Sequence, residues 1–186
     1  MTTYSYLILH GWQNHRPKNH WQHWLADRLT GLSHHVTYPQ LPDPDDPDLE
    51  LWLTELARHL DDLPAGAERV VLAHSAAAVL WLHAAARGMP GLGVDRVLLV
   101  APPSASVLLR HPEVARFAPP ALDFTLPGRT ELIAGDDDPY CPEGARTVYG
   151  DPLNIPTEIV PGGAHLDPDA GYGPWPAVLD WCLAQR

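Results

Sequence analysis

One stretch of the sequence, residues 69–87, constrains the fold more than any other. Its first part, 70–73, is short, apolar and rich in β-branched residues, which predicts a buried strand. Its second part, 76–86, consists of good helix formers and is followed by Gly88, which predicts a helix and its end. The chain has no room for a loop between the two parts. A strand must therefore turn directly into a helix at Ser75.

A strand that turns into a helix at a serine has the geometry of a nucleophile elbow. In such an elbow the serine backbone is strained and the hydroxyl projects above the sheet. The elbow motif is G-x-S-x-G, and here Ala73 and Ala77 replace both glycines. Alanine is the next smallest residue, so the strand and the helix can still approach closely. On these residues alone a second interpretation stays open, in which Ser75 is a buried serine that caps the helix.

The overall composition excludes some classes of partner. A net charge of -11 over 186 residues argues against nucleic acid or an anionic membrane as a partner. No apolar run approaches the ~20 residues that a membrane span needs, and no signal segment opens the chain. Cys141 and Cys182 are therefore expected to be reduced thiols in a cytoplasm. The length favours a single domain over residues 1–186.

Strands alternate with helices along the chain, which predicts an α/β fold. Most of the strands are short apolar runs, so we expect a three-layer αβα sandwich around a mainly parallel sheet of about six strands. Asn19, with Gln22 as its reciprocal partner, and Asp48 are expected to cap the first two helices. Two more helices are predicted from Pro142 to Tyr149 and from Pro174 and Pro176 onward. The predicted strands are 4–9, 34–38, 70–73, 96–101, 129–134 and 156–160.

Candidate catalytic side chains lie where predicted strands end. Ser75 follows the third strand, the aspartates 136–138 follow the fifth, and His165 follows the sixth. Because the carboxyl ends of parallel strands share one edge of the sheet, all three can meet there. A serine hydroxyl is a poor nucleophile that needs a base, and the base needs an anion to fix its tautomer. The chain order Ser, Asp, His is that of the α/β-hydrolases.

Further motifs accompany these residues over nearly the whole chain. They are Leu9-His10-Gly11, His20-Trp21-Gln22-x-Trp24-Leu25, His74-Ser75, Asp137-Asp138-Pro139-Tyr140-x-Pro142, and Gly163-x-His165 followed by Gly171-Tyr172-Gly173-Pro174-Trp175-Pro176. On these motifs the chain resembles the small, lidless serine hydrolases typified by the retinoblastoma-binding serine hydrolase. The resemblance implies a serine hydrolase that needs no cofactor.

The resemblance also implies roles for individual residues. Ser75 would be the nucleophile, and His165 the general base and acid. An elbow supplies one oxyanion donor from the backbone N–H after the nucleophile, here Ala76, at the N-terminus of a helix. The second donor is expected from the loop after the first strand, at the N–H of Trp12.

The third member of the triad is one of three adjacent aspartates. In the family the acid precedes a short loop with a proline four residues on, and Pro142 gives that spacing for Asp138. The resemblance therefore implies Asp138 as the carboxylate that orients the histidine. Asp137 stays the second candidate, and Asp136 is expected to cap the turn.

The segment 104–128 stands where larger relatives insert a lid, and here it is too short for a helical cap. We therefore expect a shallow pocket, with His10 supporting the oxyanion loop. Such a pocket favours small carboxylic esters or amides over long lipids. Its expected apolar lining comes from Leu108, Leu109, Phe117 and Phe124.

Other histidines have simpler interpretations. His20 and His23 are spaced to share a helix face, but no third and fourth ligand accompanies them, so no metal site is expected. The side chain of His74 is expected to point away from that of Ser75 and to pack in the core.

Two hypotheses for the function stay open, an active serine hydrolase and a protein-binding module on a hydrolase fold, and the first has a variant. Alanines at the elbow, and Ala164 where the family has glycine before His165, are compatible with a hydrolase fold that has lost activity and binds a protein partner. The complete Ser, Asp and His set favours an enzyme instead. A lyase or amidase with the same triad is the variant.

Overall fold

A parallel six-stranded sheet forms the centre of the computed structural model, which describes residues 4–184. The strand order is β2-β1-β3-β4-β5-β6, and every neighbouring pair is parallel. This confirms the predicted α/β class and the number of strands. The strands are β1 (Tyr4–Leu9), β2 (His35–Thr37), β3 (Glu68–His74), β4 (Arg96–Val100), β5 (Arg129–Gly135) and β6 (Thr157–Val160).

Helices cover both faces of the sheet. The helices are α1 (Trp21–Gly31), α2 (Leu49–Asp61), α3 (Ala76–Ala86), α4 (Ala105–Leu108), α5 (Asp151–Leu153) and α6 (Pro176–Leu183). The buried residues of α1 and α6 share a core with Tyr6 and Ile8 of β1. Those of α2 and α3 share a second core with Leu7 and Leu9. Because successive side chains of a strand point to opposite faces, a strand covered on both sides is apolar along most of its length, and in β1 the polar side chain of Ser5 is hydrogen-bonded to His35.

The cap of α1 differs from the sequence prediction. His20 is the N-cap residue, one position after Asn19, and its Nδ1 accepts a hydrogen bond from the Gln22 backbone N–H at 3.2 Å. The side chain of Gln22 makes no reciprocal cap, because its Nε2 donates to the carbonyl oxygen of Leu9 at 2.8 Å. Asp48 caps α2 as predicted, accepting from the N–H of Leu51.

Two connections between strands are more irregular than predicted. The expected helix from Pro142 does not form, because Gly144 adopts a left-handed conformation (φ 86°) and interrupts it. A π-helical turn over Arg146–Gly150 leads instead into α5. In the segment 104–128 the ordered elements are α4 and a 3-10 turn over Ala115–Phe117.

The sheet has its topological switch between β1 and β3. From there the chain builds β2 on one side and β4, β5 and β6 on the other. In open α/β sheets the crevice at this switch, beyond the carboxyl ends of the strands, is where ligands bind. Gly11 follows β1 at this crevice and Ser75 follows β3. Their loops touch, since a Cβ on Gly11 would stand 2.7 Å from the Cβ of Ser75.

Two findings bear on the compositional expectations. Among the helices of residues 4–184, none is long and apolar enough to cross a membrane. Cys141 and Cys182 are both buried free thiols, and burial raises the pKa of each to about 12.

Candidate active site

Ser75 has a strained backbone at the junction of β3 and α3. Its φ and ψ are 57° and -127°, a conformation that costs an L-residue of order 1–3 kcal/mol. Its backbone N–H donates to the carbonyl oxygen of Val100 at 2.9 Å, which ties the junction to β4. The side chain makes no capping hydrogen bond to α3. Ser75 therefore occupies the cap position without capping the helix, and its hydroxyl is available for another partner.

That partner is His165, on the loop that follows β6. The Nε2 atom of His165 lies 2.9 Å from the Oγ of Ser75. Its Nδ1 lies 2.9 Å from Oδ2 and 3.1 Å from Oδ1 of Asp138, which is buried. A carboxylate only accepts, so Nδ1 carries the proton and donates it, and Nε2 then accepts from the serine hydroxyl. The structure thus brings the three predicted side chains into one hydrogen-bonded chain.

The three adjacent aspartates hold the His165 loop at three different points. Oδ1 of Asp136 accepts from the N–H of Gly162 at 2.8 Å, and Oδ1 of Asp137 accepts from the N–H of Ala164 at 2.7 Å. Of the three side chains, Asp138 is the one that meets the imidazole. Asp137, the second candidate from the sequence, is exposed and fixes the backbone beside the histidine instead.

Two backbone N–H groups border the same space. Trp12 and Ala76 both line the cavity above Ser75, and Ala76 is the first residue of α3. Within residues 4–184 neither N–H has an acceptor, and the first N–H groups of a helix have no partner inside it. The geometry leaves both donors free to bind an oxygen of a ligand.

The cavity over Ser75 and His165 has a volume of about 270 Å³. This lies near the lower end of the range for small-molecule sites. Leu108 lines it as predicted, together with Val107 and Val114 of the same segment. Within the described part of the chain no cap domain covers its mouth.

Four residues expected at the pocket do not line it. Leu109 faces solvent, with 63% of its surface exposed, because α4 turns its other side inward. Phe117 is fully buried against Trp52, with ring centroids 5.2 Å apart, and Phe124 packs against the same core. His10 is fully buried behind the loop.

His10 and His74 support the site from below. Nδ1 of His10 donates to the carbonyl oxygen of Gly11, and its Nε2 accepts from the N–H of Leu41. Burial lowers the pKa of His10 to about 4, so the ring is neutral near pH 7. Nε2 of His74 donates to the backbone oxygen of His165 at 3.0 Å, and burial lowers its pKa well below the usual range. Both side chains hold loops that carry site residues.

A sequence model of the serine hydrolase family matches residues 6–183 of this chain. The chain belongs to the serine hydrolase family. Comparison with curated proteins gives no match. The serine hydrolase family and the fold together support a hydrolase activity.

Solved structures share this serine hydrolase's fold. The ydeN gene product of B. subtilis has a TM-score of 0.78 at 22% identity, with 97% of each chain covered. Est1E of Butyrivibrio proteoclasticus has a TM-score of 0.68 at 16% identity, with 98% of this chain and 88% of that chain covered. A monoacylglycerol lipase of Paleococcus ferrophilus has a TM-score of 0.67 at 15% identity, with 97% and 95% covered. At these identities the likeness shows the fold alone.

Several residues of this serine hydrolase's cavity escaped the sequence analysis. The ring of Tyr140 packs against that of His165 at a tilt of 43°, with ring centroids 4.3 Å apart. Its position directly after Asp138-Pro139 was the sequence signal that could have placed Tyr140 at the cavity. His20, His111 and Asp167 also line the cavity. His20 opens one of the motifs that carry the family resemblance, whereas nothing in the sequence context of His111 and Asp167 distinguishes them from surface residues. Among residues 4–184, no group of three or more His, Cys, Asp and Glu side chains is arranged to hold a metal ion.

Proposed function

We propose that the protein hydrolyses small carboxylic esters or amides through an acyl-enzyme on Ser75. The observation that carries the proposal is the position of His165, whose two ring nitrogens each lie 2.9 Å from an oxygen, one of Ser75 and one of Asp138. In the proposed roles, Ser75 is the nucleophile, His165 the general base and acid, and Asp138 the orienting carboxylate. The match to the serine hydrolase family supports these roles.

In the first half of the reaction, Oγ of Ser75 attacks the carbonyl carbon while Nε2 of His165 takes the hydroxyl proton. The resulting imidazolium is stabilised by the Asp138 carboxylate at Nδ1. The bond to the leaving oxygen or nitrogen then breaks, and His165 gives its proton to the leaving group. An alcohol or amine departs, and the acyl group stays on Ser75.

In the second half, water replaces the leaving group. His165 takes a proton from the water as its oxygen attacks the acyl carbon, and returns that proton to Oγ of Ser75 as the ester bond breaks. A carboxylic acid is released and the free enzyme is restored. The net reaction consumes one water for each ester or amide cleaved.

The N–H groups of Trp12 and Ala76 are proposed to bind the oxyanion that forms in both halves. Ala76 opens α3, so the helix dipole adds to the attraction for negative charge. Gly11 supports this assignment, because only a residue without a Cβ lets the loop carrying Trp12 pass so close to Ser75. The donors belong to the backbone and need no reorganisation during the reaction.

The size of the cavity favours short substrates. A volume of about 270 Å³ accommodates a small acyl group but no long lipid chain. The apolar side chains of Val107, Leu108 and Val114 offer a surface for that group. We therefore expect kcat/KM to fall as the acyl chain of an aryl ester lengthens from acetate to decanoate.

Kinetics of variants test the proposal. With p-nitrophenyl acetate, we expect Ser75→Ala and His165→Ala to lower kcat by at least about 10³-fold. The matched control is Ser106→Ala, a serine outside the cavity, which should retain wild-type kcat. Circular dichroism and thermal unfolding establish that each variant is folded. Wild-type turnover in a folded Ser75→Ala or His165→Ala variant would remove that residue from the mechanism.

A further inference from the structure

One wall of the cavity carries two carboxylates. Asp167 and Asp169 line the same cavity as Ser75 and follow His165 on the loop after β6. Two residues of chain span at most ~7 Å, so the backbone of Asp167 stays close to that of His165. Nε2 of His165 is itself 2.9 Å from Oγ of Ser75. The negative charge therefore lies near the proposed reaction centre.

No lysine or arginine side chain of the cavity balances this charge. Among the described residues that line the cavity there is no Lys or Arg. In residues 4–184 neither Asp167 nor Asp169 forms an ion pair. Asp167 accepts one hydrogen bond, from the N–H of Ala170 at 3.1 Å. His20 and His74 also line the cavity and are neutral near pH 7, because burial lowers the pKa of His20 to about 4 and that of His74 further.

His20 adds an unused donor to this wall. Its side chain is buried, with 3% exposed, and its Nδ1 accepts from the N–H of Gln22. A neutral imidazole then carries its proton on Nε2. That Nε2 has no hydrogen-bond partner in the described part of the chain, although His20 lines the cavity. An acceptor atom on a bound ligand, such as an ester oxygen, would satisfy it.

Two aromatic side chains complete the surroundings. Trp12 is half-buried at the rim and Tyr140 lies against His165, and both line the cavity. The faces of aromatic rings attract cations, and more strongly where water is excluded. The cavity therefore combines carboxylates, aromatic faces and a neutral donor with the aliphatic side chains of Val107, Leu108 and Val114.

We propose that this cavity selects esters or amides that carry a positive charge, such as a quaternary or primary ammonium group. The inference rests on the proposed hydrolase function and names its substrate class. Hydrolysis also converts an ester into a carboxylate, which Asp167 and Asp169 repel. The same wall that attracts a cationic substrate therefore promotes release of the acidic product.

Isosteric pairs of esters isolate the effect of charge. Acetylcholine and 3,3-dimethylbutyl acetate have nearly the same shape, and only the first is cationic, on the alcohol side. The ethyl esters of 4-(trimethylammonio)butyrate and 5,5-dimethylhexanoate differ in the same way on the acyl side. We expect kcat/KM to favour the cationic member of at least one pair by about three- to tenfold, and the preference to shrink in about 0.5 M salt. Where turnover is too slow to measure, each ester is tested for the concentration at which it protects Ser75 from labelling by a neutral fluorophosphonate. The two members of a pair are then compared by that concentration.

Variants identify the source of the preference. Asp167→Asn keeps the acceptor for the Ala170 N–H and removes only the charge, and Asp169→Asn is its companion. Each should reduce the cation preference by about two- to threefold, and the double variant should abolish it. The matched control is Asp180→Asn on the exposed side of α6, away from the cavity, which should leave the preference unchanged.

The outcomes separate this inference from the function on which it rests. One outcome is that the fluorophosphonate labels Ser75 but the neutral ester of both pairs is hydrolysed as well as, or better than, the cationic one. That outcome would overturn the charge selection and leave the proposed hydrolase function standing. A preference that persists in the double aspartate variant would also overturn it. If the folded protein is not labelled and hydrolyses no ester, the proposed function is contradicted, and the charge selection falls with it.

Discussion

The nucleophile candidate and the two neighbours of His165 have strained backbones. Ser75, Ala164 and Leu166 all have positive φ, at 57°, 43° and 50°, a conformation that L-residues adopt at a cost. Hydrogen bonds hold two of these positions: the N–H of Ser75 donates to the carbonyl oxygen of Val100, and the N–H of Ala164 donates to Oδ1 of Asp137. The site is therefore imposed by its surroundings, which fix the hydroxyl and the imidazole before any substrate binds.

The triad acid can be identified by a matched pair of substitutions. We expect Asp138→Asn to lower kcat by about 10³- to 10⁴-fold, because an amide at this place favours the wrong tautomer of His165. Asp137→Asn keeps an acceptor for the N–H of Ala164 and should lower kcat less than about tenfold. Steady-state kinetics with a short aryl ester measure both. A larger loss for Asp137→Asn than for Asp138→Asn would reverse the assignment.

At the scale of elements, the segment 104–128 shapes the cavity although little of it is regular. Phe117 anchors the segment, since its ring is fully buried and packs edge-on against Trp52 of α2. His83 of α3 adds a hydrogen bond from its Nε2 to the carbonyl oxygen of Ala118 at 2.9 Å. These contacts hold Leu108 and Val114 at the cavity wall without a lid domain.

Truncating the anchor should destabilise the fold. We expect Phe117→Ala to lower the free energy of unfolding by about 3–5 kcal/mol, because it removes a buried ring and leaves a void. Leu109→Ala, on the exposed side of the same segment, should change it by less than about 0.5 kcal/mol. Urea denaturation measures both. Equal losses for the two variants would mean that the segment is not anchored through Phe117.

Elements differ in how far the sequence determines them. The strands and the order of Ser75, Asp138 and His165 could be predicted, because apolar runs and strand ends are local signals. The pocket lining could be predicted only for Leu108, since the segment 104–128 has no periodicity that would separate the buried Phe117 from the residues that line the cavity. The cap of α1 was misplaced by one residue because histidine seldom caps a helix, whereas asparagine often does.

At the scale of the whole molecule, buried neutral histidines couple stability to pH. Burial lowers the pKa of His10 and of His20 to about 4, from an ordinary value near 6.5. Between these values the unfolded chain binds more protons than the folded one, so stability falls as pH decreases. Each histidine should remove about 2 kcal/mol of stability on going from pH 7 to pH 5.

Urea denaturation at pH 7, 6 and 5 measures this dependence. The variant His20→Asn keeps a capping side chain for α1 and removes one titrating group, so its stability should depend less steeply on pH. A stability that stays constant between pH 7 and pH 5 would contradict this expectation.

We propose above that Ser75 is an activated nucleophile with an oxyanion site beside it. The most direct test is to treat the protein with a fluorophosphonate and to measure the intact mass of wild type and of Ser75→Ala. The probe needs both features and no knowledge of the natural substrate. We predict a single adduct on wild type and none on the variant. Folded wild-type protein that takes no adduct, or a Ser75→Ala variant that is still labelled, would contradict this role of Ser75.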